Sequence, residues 1–343
     1  MQFQILNPLD LPDWNVQLSP SSGESIFNTV EWARVLHDTY GYKPCYLTSM
    51  SGGSPMLLPL MEVDSWLTGR RGVSVPFSDF CVPLGLESGN MEPVLAELVN
   101  LGRRRNWRSF EIRNDRAAPA EIPRSARYLT HSLVLKSGEK TIFEHLDGSV
   151  RTSIRKAAKA GVEVAFSESF DSVIGFYRLN CETRRRHGLP PQPVRFFKNV
   201  HQHVLMKGLG LVVTASLAGC AVAAAMFFHA GRNVLFKYGA SDARLQHLRA
   251  PNLMMWEAIR HYAGQGYERL SLGRTSKGHA GLRRFKLGWG AQEGEIGYLK
   301  YDLRRGECEA EREPSAESGS AIARRLPLCV LRWAGAALYR HMA

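Results

Sequence analysis

The run Leu211–Phe228 is nearly all apolar and about as long as a membrane-spanning helix, so its reading decides what kind of chain this is. Ala218-Gly219 interrupts it midway, β-branched residues cluster at Val212-Val213-Thr214, and a second apolar run, Asn233–Tyr238, follows His229-Ala230-Gly231-Arg232. A spanning helix accounts for none of these features. Two buried strands joined by a tight Ala-Gly turn, with a third strand beyond, account for all three. The spacing therefore predicts strands at 211–217, 220–228 and 233–238 in the core of a sheet.

The rest of the chain repeats an order around that hairpin. A basic helix at 149–160 and a helix at 169–187 precede it, and a helix at 251–264 and a strand at 268–273 follow. The first half reads similarly: a helix from Ser25 to Thr39, strands at Cys45–Met50 and Met56–Val63 around Ser51-Gly52-Gly53-Ser54, a third strand at Val73–Phe77, a helix over 91–105 and a strand at Arg108–Arg113. Hairpin, third strand, helix and strand thus occur twice, which suggests an internal duplication. A length of 343 residues suits two domains. Antiparallel hairpins followed by a crossover helix imply a mixed α/β (α+β) fold. The expected organisation is domains at 1–135 and 136–303 with a ligand cleft between them, a charged linker at 304–320, and a basic amphipathic helix at 321–343 that Pro327 breaks early. In that helix Leu326, Val330, Trp333, Ala337 and Leu338 oppose Arg324, Arg325, Arg332 and Arg340, which suits docking on its own domain or peripheral contact with an anionic membrane face.

The stretch Gly281–Ala291, just behind the strand Arg269–Arg274, sets one lysine between two aromatics and several glycines. Glycines cost backbone entropy unless something needs close approach, so the stretch reads as the rim of a reaction site; the plain alternative is a cationic hairpin tip with Phe285 and Trp289 packed inward. Gly-Leu-x-Arg-Phe-Lys-x-Gly-Trp-Gly after a strand ending Gly273-Arg274 resembles the C-terminal signature of the FemAB family of peptidyl and aminoacyl transferases, whose wider branch includes BioF2-like and exosortase-associated members. Arg151–Val162, His187–Pro193, Lys237–Asp242 and Pro251–Ile259 resemble that family in the same order, so the likeness covers about 140–305 and the first 135 residues only in outline. The resemblance implies two tandem GNAT-like domains and transfer of an acyl or aminoacyl group to an amine.

Residue types point to particular roles. Lys286 brings a point charge that stabilises the oxyanion of acyl transfer or holds a donor phosphate, and the resemblance gives Phe285 and Lys286 the same place. Arg151, Arg155 and Lys159 stand at i, i+4 spacing on one helical face, where like charges repel unless an anion relieves them; the alternative is a solvated face, and by resemblance Arg151 and Arg155 contact phosphates. Tyr238 would orient the acceptor, while Asp242 would take its proton or cap the next segment. By resemblance Asp79 stands where the first domain presents polar groups, making it a second candidate base; Arg274, Phe285 and Trp289 complete the substrate-binding set. No nucleophile elbow is present, so direct attack by the amine is favoured.

A net charge of +12 points to anionic partners. The six cysteines are scattered without metal-ligand spacing, which argues against a zinc site or a disulfide framework and for buried thiols in a reducing, cytoplasmic compartment; no signal peptide is read at the N-terminus. No tightly bound cofactor is expected. The segment Gln246–Asn252 occupies the place of a coenzyme A pyrophosphate loop but has no glycine, and Pro251 removes one N–H, which disfavours coenzyme A in the usual manner and leaves Arg249 and the helix end to hold a single phosphate. The FemAB resemblance implies aminoacyl-tRNA as the donor, with acyl-CoA the alternative, and a nucleotide- or lipid-linked envelope precursor as the acceptor. Three readings follow: an aminoacyl or acyl transferase of peptidoglycan or polysaccharide precursors, a thioester-dependent N-acyltransferase of exopolysaccharide synthesis, and a non-catalytic module that binds an anion.

Overall fold

The computed structural model describes residues 2–12, 14, 25–51, 54–86, 91–311 and 320–342. Its first elements are β1 (Phe3–Leu6), α1 (Val30–Tyr40), β2 (Lys43–Pro44), β3 (Tyr46–Ser51), β4 (Ser54–Leu58), β5 (Met61–Val63), β6 (Arg71–Val73), α2 (Met91–Arg104) and β7 (Ser109–Ile112). There follow β8 (Ala126–Val134), α3 (Glu139–His145), α4 (Gly148–Lys159), β9 (Glu163–Ser167), α5 (Phe170–Arg186), α6 (Val194–His203), β10 (Gly210–Leu217), β11 (Cys220–Ala230) and β12 (Asn233–Ser241). The chain continues through α7 (Ala250–Gly264), β13 (Arg269–Ser276), α8 (Ala280–Leu287), β14 (Gln292–Asp302) and β15 (Glu307–Cys308) to α9 (Ala321–Arg325) and α10 (Leu328–Leu338). Two compact units result, one of Met1–Leu129, Glu295–Pro314 and Leu338–Ala343, the other of Thr130–Gly294 and Ser315–Ala337. The sequence places the boundary at 135/136, whereas the contacts place it at 129/130 and return Glu295–Pro314 to the first unit. Of the expected linker and first turn, residues 312–319 and 52–53 lie outside the described residues.

In the first unit β1, β3 and β4 form one antiparallel sheet, and β2, β5, β6 and β7 belong to a second in which β6 and β7 run parallel and β14 continues antiparallel on β7. The strand expected over Met56–Val63 is divided, because Pro59 has no N–H to donate to a ladder. The third strand stops at Val73 rather than Phe77. Val75 and Phe77 both take the left-handed region, at φ 56° and 60°, so the backbone leaves the extended form there. Leu47, Leu58, Val94, Leu98, Phe110 and Ile112 make the buried core.

The second unit contains the decisive hairpin. β10 and β11 pair antiparallel from Gly210–Phe228 to Leu217–Cys220, and Ala218 and Gly219 both have positive φ, 48° and 76°, as a two-residue hairpin turn requires. β9 joins on one side and β12 on the other; β12 bulges at Lys237, since Met226 faces Tyr238 while Phe227 faces Phe236. Parallel β13 pairs with β12 only over Asn233–Leu235 against Arg269–Ser271. α4 packs on α7, and α7 on β10 and β11, over a core that includes Val213, Ala225, Phe227, Met254, Tyr262 and Trp289. The opposite face is covered by α5 and α6 through buried Val173, Phe176, Phe196 and Phe197. Among the described residues no helix is long and apolar enough to cross a membrane. Of the six cysteines, Cys45, Cys81 and Cys181 are buried thiols and Cys220 and Cys329 are exposed.

Candidate functional site

The signature stretch is a helix, not a hairpin tip. His279 caps α8 by accepting the Leu282 N–H at 3.2 Å, and Leu282, Phe285 and Trp289 recur at helical spacing. That spacing turns Lys286 inward. Its side chain is 3% exposed, and Nζ donates to the carbonyls of Gly273 at 2.9 Å and Arg274 at 3.1 Å. These carbonyls lie just past Ser271, where β13 parts from β12. A fixed cation therefore sits on the strand backbone at the point where two parallel strands separate and their edge groups become available to a ligand.

A cavity of about 750 Å³ against α4 and α8 is lined by Ser149, Ser153, Arg249, Asn252, Arg284 and Phe285, among others, while Lys286, Gly273 and Arg274 are not part of its lining. Asp147 caps α4 by accepting the Ser149 N–H at 2.7 Å, which places Ser149 and Ser153, one turn apart, toward the cavity. Arg249 stands at the N-terminal cap of α7 with φ 58°, the conformation that glycine usually supplies in a phosphate-binding loop. Pro251 follows in the first turn. The helix thus begins from a left-handed arginine, with one N–H of its first turn removed by Pro251.

The other expected site residues are distributed differently. Phe285 lines the cavity, but Trp289 is 0% exposed and packs in the core, its ring centroid 6.2 Å from that of Phe285, so its assignment to substrate binding is corrected. Arg151 donates to the Glu144 carbonyl at 2.8 Å and Arg155 lies over the Phe143 ring at 5.6 Å. Neither lines the cavity, because they lie about 200° around the helix from Ser149 and Ser153. Tyr238 packs with Phe176, Phe196 and Phe197 on the α5–α6 side of the sheet, whereas Phe285 and Trp289 belong to the α4–α7 core. Next to Tyr238, Gly239 stands against Phe236, which packs on the α4–α7 core, and a Cβ there would come within 2.7 Å of the Phe236 ring. Asp242 takes the capping role: it accepts the Arg244 N–H at 2.9 Å and pairs with the Arg244 guanidinium at 2.7 Å. Those hydrogen bonds hold its carboxyl below the usual carboxylate range, which makes it a weak base. Arg274 contributes its carbonyl to Lys286. Asp79 belongs to the other unit, where its carbonyl accepts from the Tyr298 hydroxyl at 2.5 Å.

One arrangement escapes sequence reasoning. His131 of β8, with its side chain fully enclosed, places Nε2 3.1 Å from Glu293 of β14, and Arg283 of α8 pairs with the same carboxylate at 2.7 Å. Burial, helped by the charge of Lys286, holds His131 below the ordinary imidazole range despite Glu293, so the neutral ring donates through Nε2. The Arg283 hydrogen bond in turn keeps Glu293 ionised. This chain ties the helix that carries Lys286 to two strands. Its members lie 162 and 10 residues apart, with no local motif to announce them.

Against known proteins, residues 147–293 match the Acetyltransferase (GNAT) domain family. No curated protein sequence matches the chain. Among solved structures the chain is similar to FemX, at 13% identity and TM-score 0.67, over 89% of this chain and 98% of that one. It is also similar to L-PGS from Bacillus licheniformis, at 12% identity and TM-score 0.55 over 92% and 98% of the two chains. A tandem GNAT protein from the clavulanic acid biosynthesis pathway matches at 11% identity and TM-score 0.54, over 88% and 98%. The chain therefore has a duplicated GNAT fold, with an acetyltransferase-type GNAT domain over residues 147–293.

Proposed function

We propose that the protein is a GNAT-type N-acyl or aminoacyl transferase that forms an amide bond on the amine of a cell-envelope precursor. The observation that carries this reading is the buried Lys286 ammonium on the Gly273 and Arg274 carbonyls, where β12 and β13 part. In such a transfer the amine attacks an ester or thioester carbonyl, the oxyanion gathers charge, and the amine loses one proton as the leaving group departs. Backbone N–H groups of the parted strands meet the carbonyl oxygen. Lys286 fixes the β13 backbone and supplies positive charge beside it. The cavity of Arg249, Arg284, Ser149 and Ser153 suits the phosphate of a donor, which both aminoacyl-tRNA and acyl-CoA carry. The FemAB-type motifs favour aminoacyl-tRNA, and the likeness to FemX agrees with the fold those motifs imply. Both donors are cytoplasmic metabolites, which supports a cytoplasmic reaction.

The test offers the purified protein an amine acceptor pool with labelled charged tRNA in one reaction and labelled acyl-CoA in another. Transfer from tRNA, abolished by ribonuclease, supports the aminoacyl branch. Transfer from the thioester alone makes the protein a coenzyme A enzyme despite its glycine-free loop. No transfer from either, with retained binding of the donors, refutes catalysis in favour of an anion-binding module.

A further inference from the structure

The C-terminal helices are not absorbed by this reading. α10 lies on the second unit through Leu331 and Gly335, the latter set so close to the Pro191 carbonyl that any larger residue would clash, and Arg332 covers the Tyr177 ring at 5.4 Å. α9 packs on α5. With those faces seated, the outer surface displays Ile322 and Trp333, 72% and 73% exposed, together with half-open Val330. Isolated exposed apolar residues are ordinary, but Val330 and Trp333 stand three residues apart on one helix, with Ile322 exposed on the helix before it, and together they leave apolar surface to water. Arg324 and Arg325 are exposed on α9, and from Ser320 to Met342 the chain has no acidic residue. Beneath the pair, a cavity of about 830 Å³ gathers six arginines, Arg178, Arg185, Arg186, Arg244, Arg324 and Arg332, against Glu182 and Asp242. Such an excess of one sign is unfavourable by itself and is relieved by anions.

We propose that α9 and α10 dock the second unit on an anionic lipid bilayer, with Ile322, Val330 and Trp333 entering the interfacial layer and the arginines meeting lipid phosphates. The charge pattern selects this occupant. A second copy of the chain would bring the same arginines face to face. A spanning role is excluded because Pro327 divides the segment and arginines fall on both sides of it. An amphipathic helix that lies in the interface, with tryptophan on the apolar side and arginine on the polar side, meets every feature.

The test is flotation of the full chain with vesicles of phosphatidylglycerol in phosphatidylcholine, and with phosphatidylcholine alone. Binding to the anionic vesicles, weakened by salt, is expected. Trp333→Ala, at an exposed position where folding is unaffected, lowers the partition coefficient on the order of tenfold. Arg324→Gln with Arg325→Gln removes the preference for the anionic lipid. Brominated lipid quenches the fluorescence of the parent protein more than that of Trp333→Phe. Equal or absent binding to the two vesicle types, or binding unchanged by Trp333→Ala, overturns the proposal. So does a concentration-dependent dimer that Trp333→Ala dissolves without vesicle binding, which would assign the face to a second copy. The assay needs no donor or acceptor, so its failure leaves the transferase reading untouched.

Discussion

Lys286 couples chemistry to architecture within one side chain. Its ammonium satisfies two strand carbonyls, so Lys286→Met leaves both without that donor and is expected to cost about 1–3 kcal/mol of stability. Turnover should fall beyond what this loss explains. A denaturant titration run beside label transfer at a temperature where the variant is folded separates the effects, and full activity in the folded variant would remove Lys286 from the reaction. Gly239→Ala tests a purely steric demand: the new Cβ presses on the Phe236 ring, and a loss of about 1–3 kcal/mol is expected on denaturation. The Phe285-Lys286 pair is legible in the sequence because its residue types are unusual together. The enclosure of Trp289 and the capping of Asp242 stand in the sequence only as one of two readings, since the same residue serves a cleft, a core or a cap depending on what packs around it.

Among elements, the β10–β11 hairpin and the C-terminal helical pair show opposite degrees of legibility. The hairpin is written locally, in β-branched runs and an Ala-Gly turn whose positive φ values fit few other structures. Pro327 likewise marks the break between α9 and α10, and Leu326 before it is extended, as the proline ring demands. The face by which α10 binds is not written locally. Gly335 rests against Pro191, and Gly335→Ala should therefore loosen α10 without disturbing the sheet. Limited proteolysis ought to cut that variant faster after Arg324, Arg325 or Arg332; unchanged cleavage would show that the contact does not hold the helix. α8 is the instructive miss. A glycine-rich motif behind a strand suggests a turn, yet a capping histidine and apolar residues three and four apart make a helix.

The whole molecule should respond to acid in two stages. His131, His229 and His261 are held below the ordinary imidazole range, in each case chiefly by burial. The unfolded chain takes up these protons first, so stability is full above an unfolded pKa of about 6.5 and falls as pH drops through it toward the lower folded values. Glu293, Glu268 and Asp242 are lowered by hydrogen bonds to arginine or lysine, and their contribution is lost only lower still, below the usual carboxylate range. The denaturation midpoint should thus be lower at about pH 5.5 than at about pH 7.5, and a flat profile between them would contradict the buried neutral histidines.

By itself the sequence determined the alternation of strands and helices, the duplicated order, the hairpin, the cationic balance and the Phe-Lys signature, because these depend on periodicity, turn chemistry and composition within short windows. Only the tertiary structure decided which cations face the cavity, that Lys286 is tied to strand carbonyls, that Asp242 caps rather than waits as a base, and that His131 meets Glu293. Those outcomes depend on how far a helix has rotated when its apolar stripe is buried and on contacts between residues far apart in the chain, and neither is encoded at any one position.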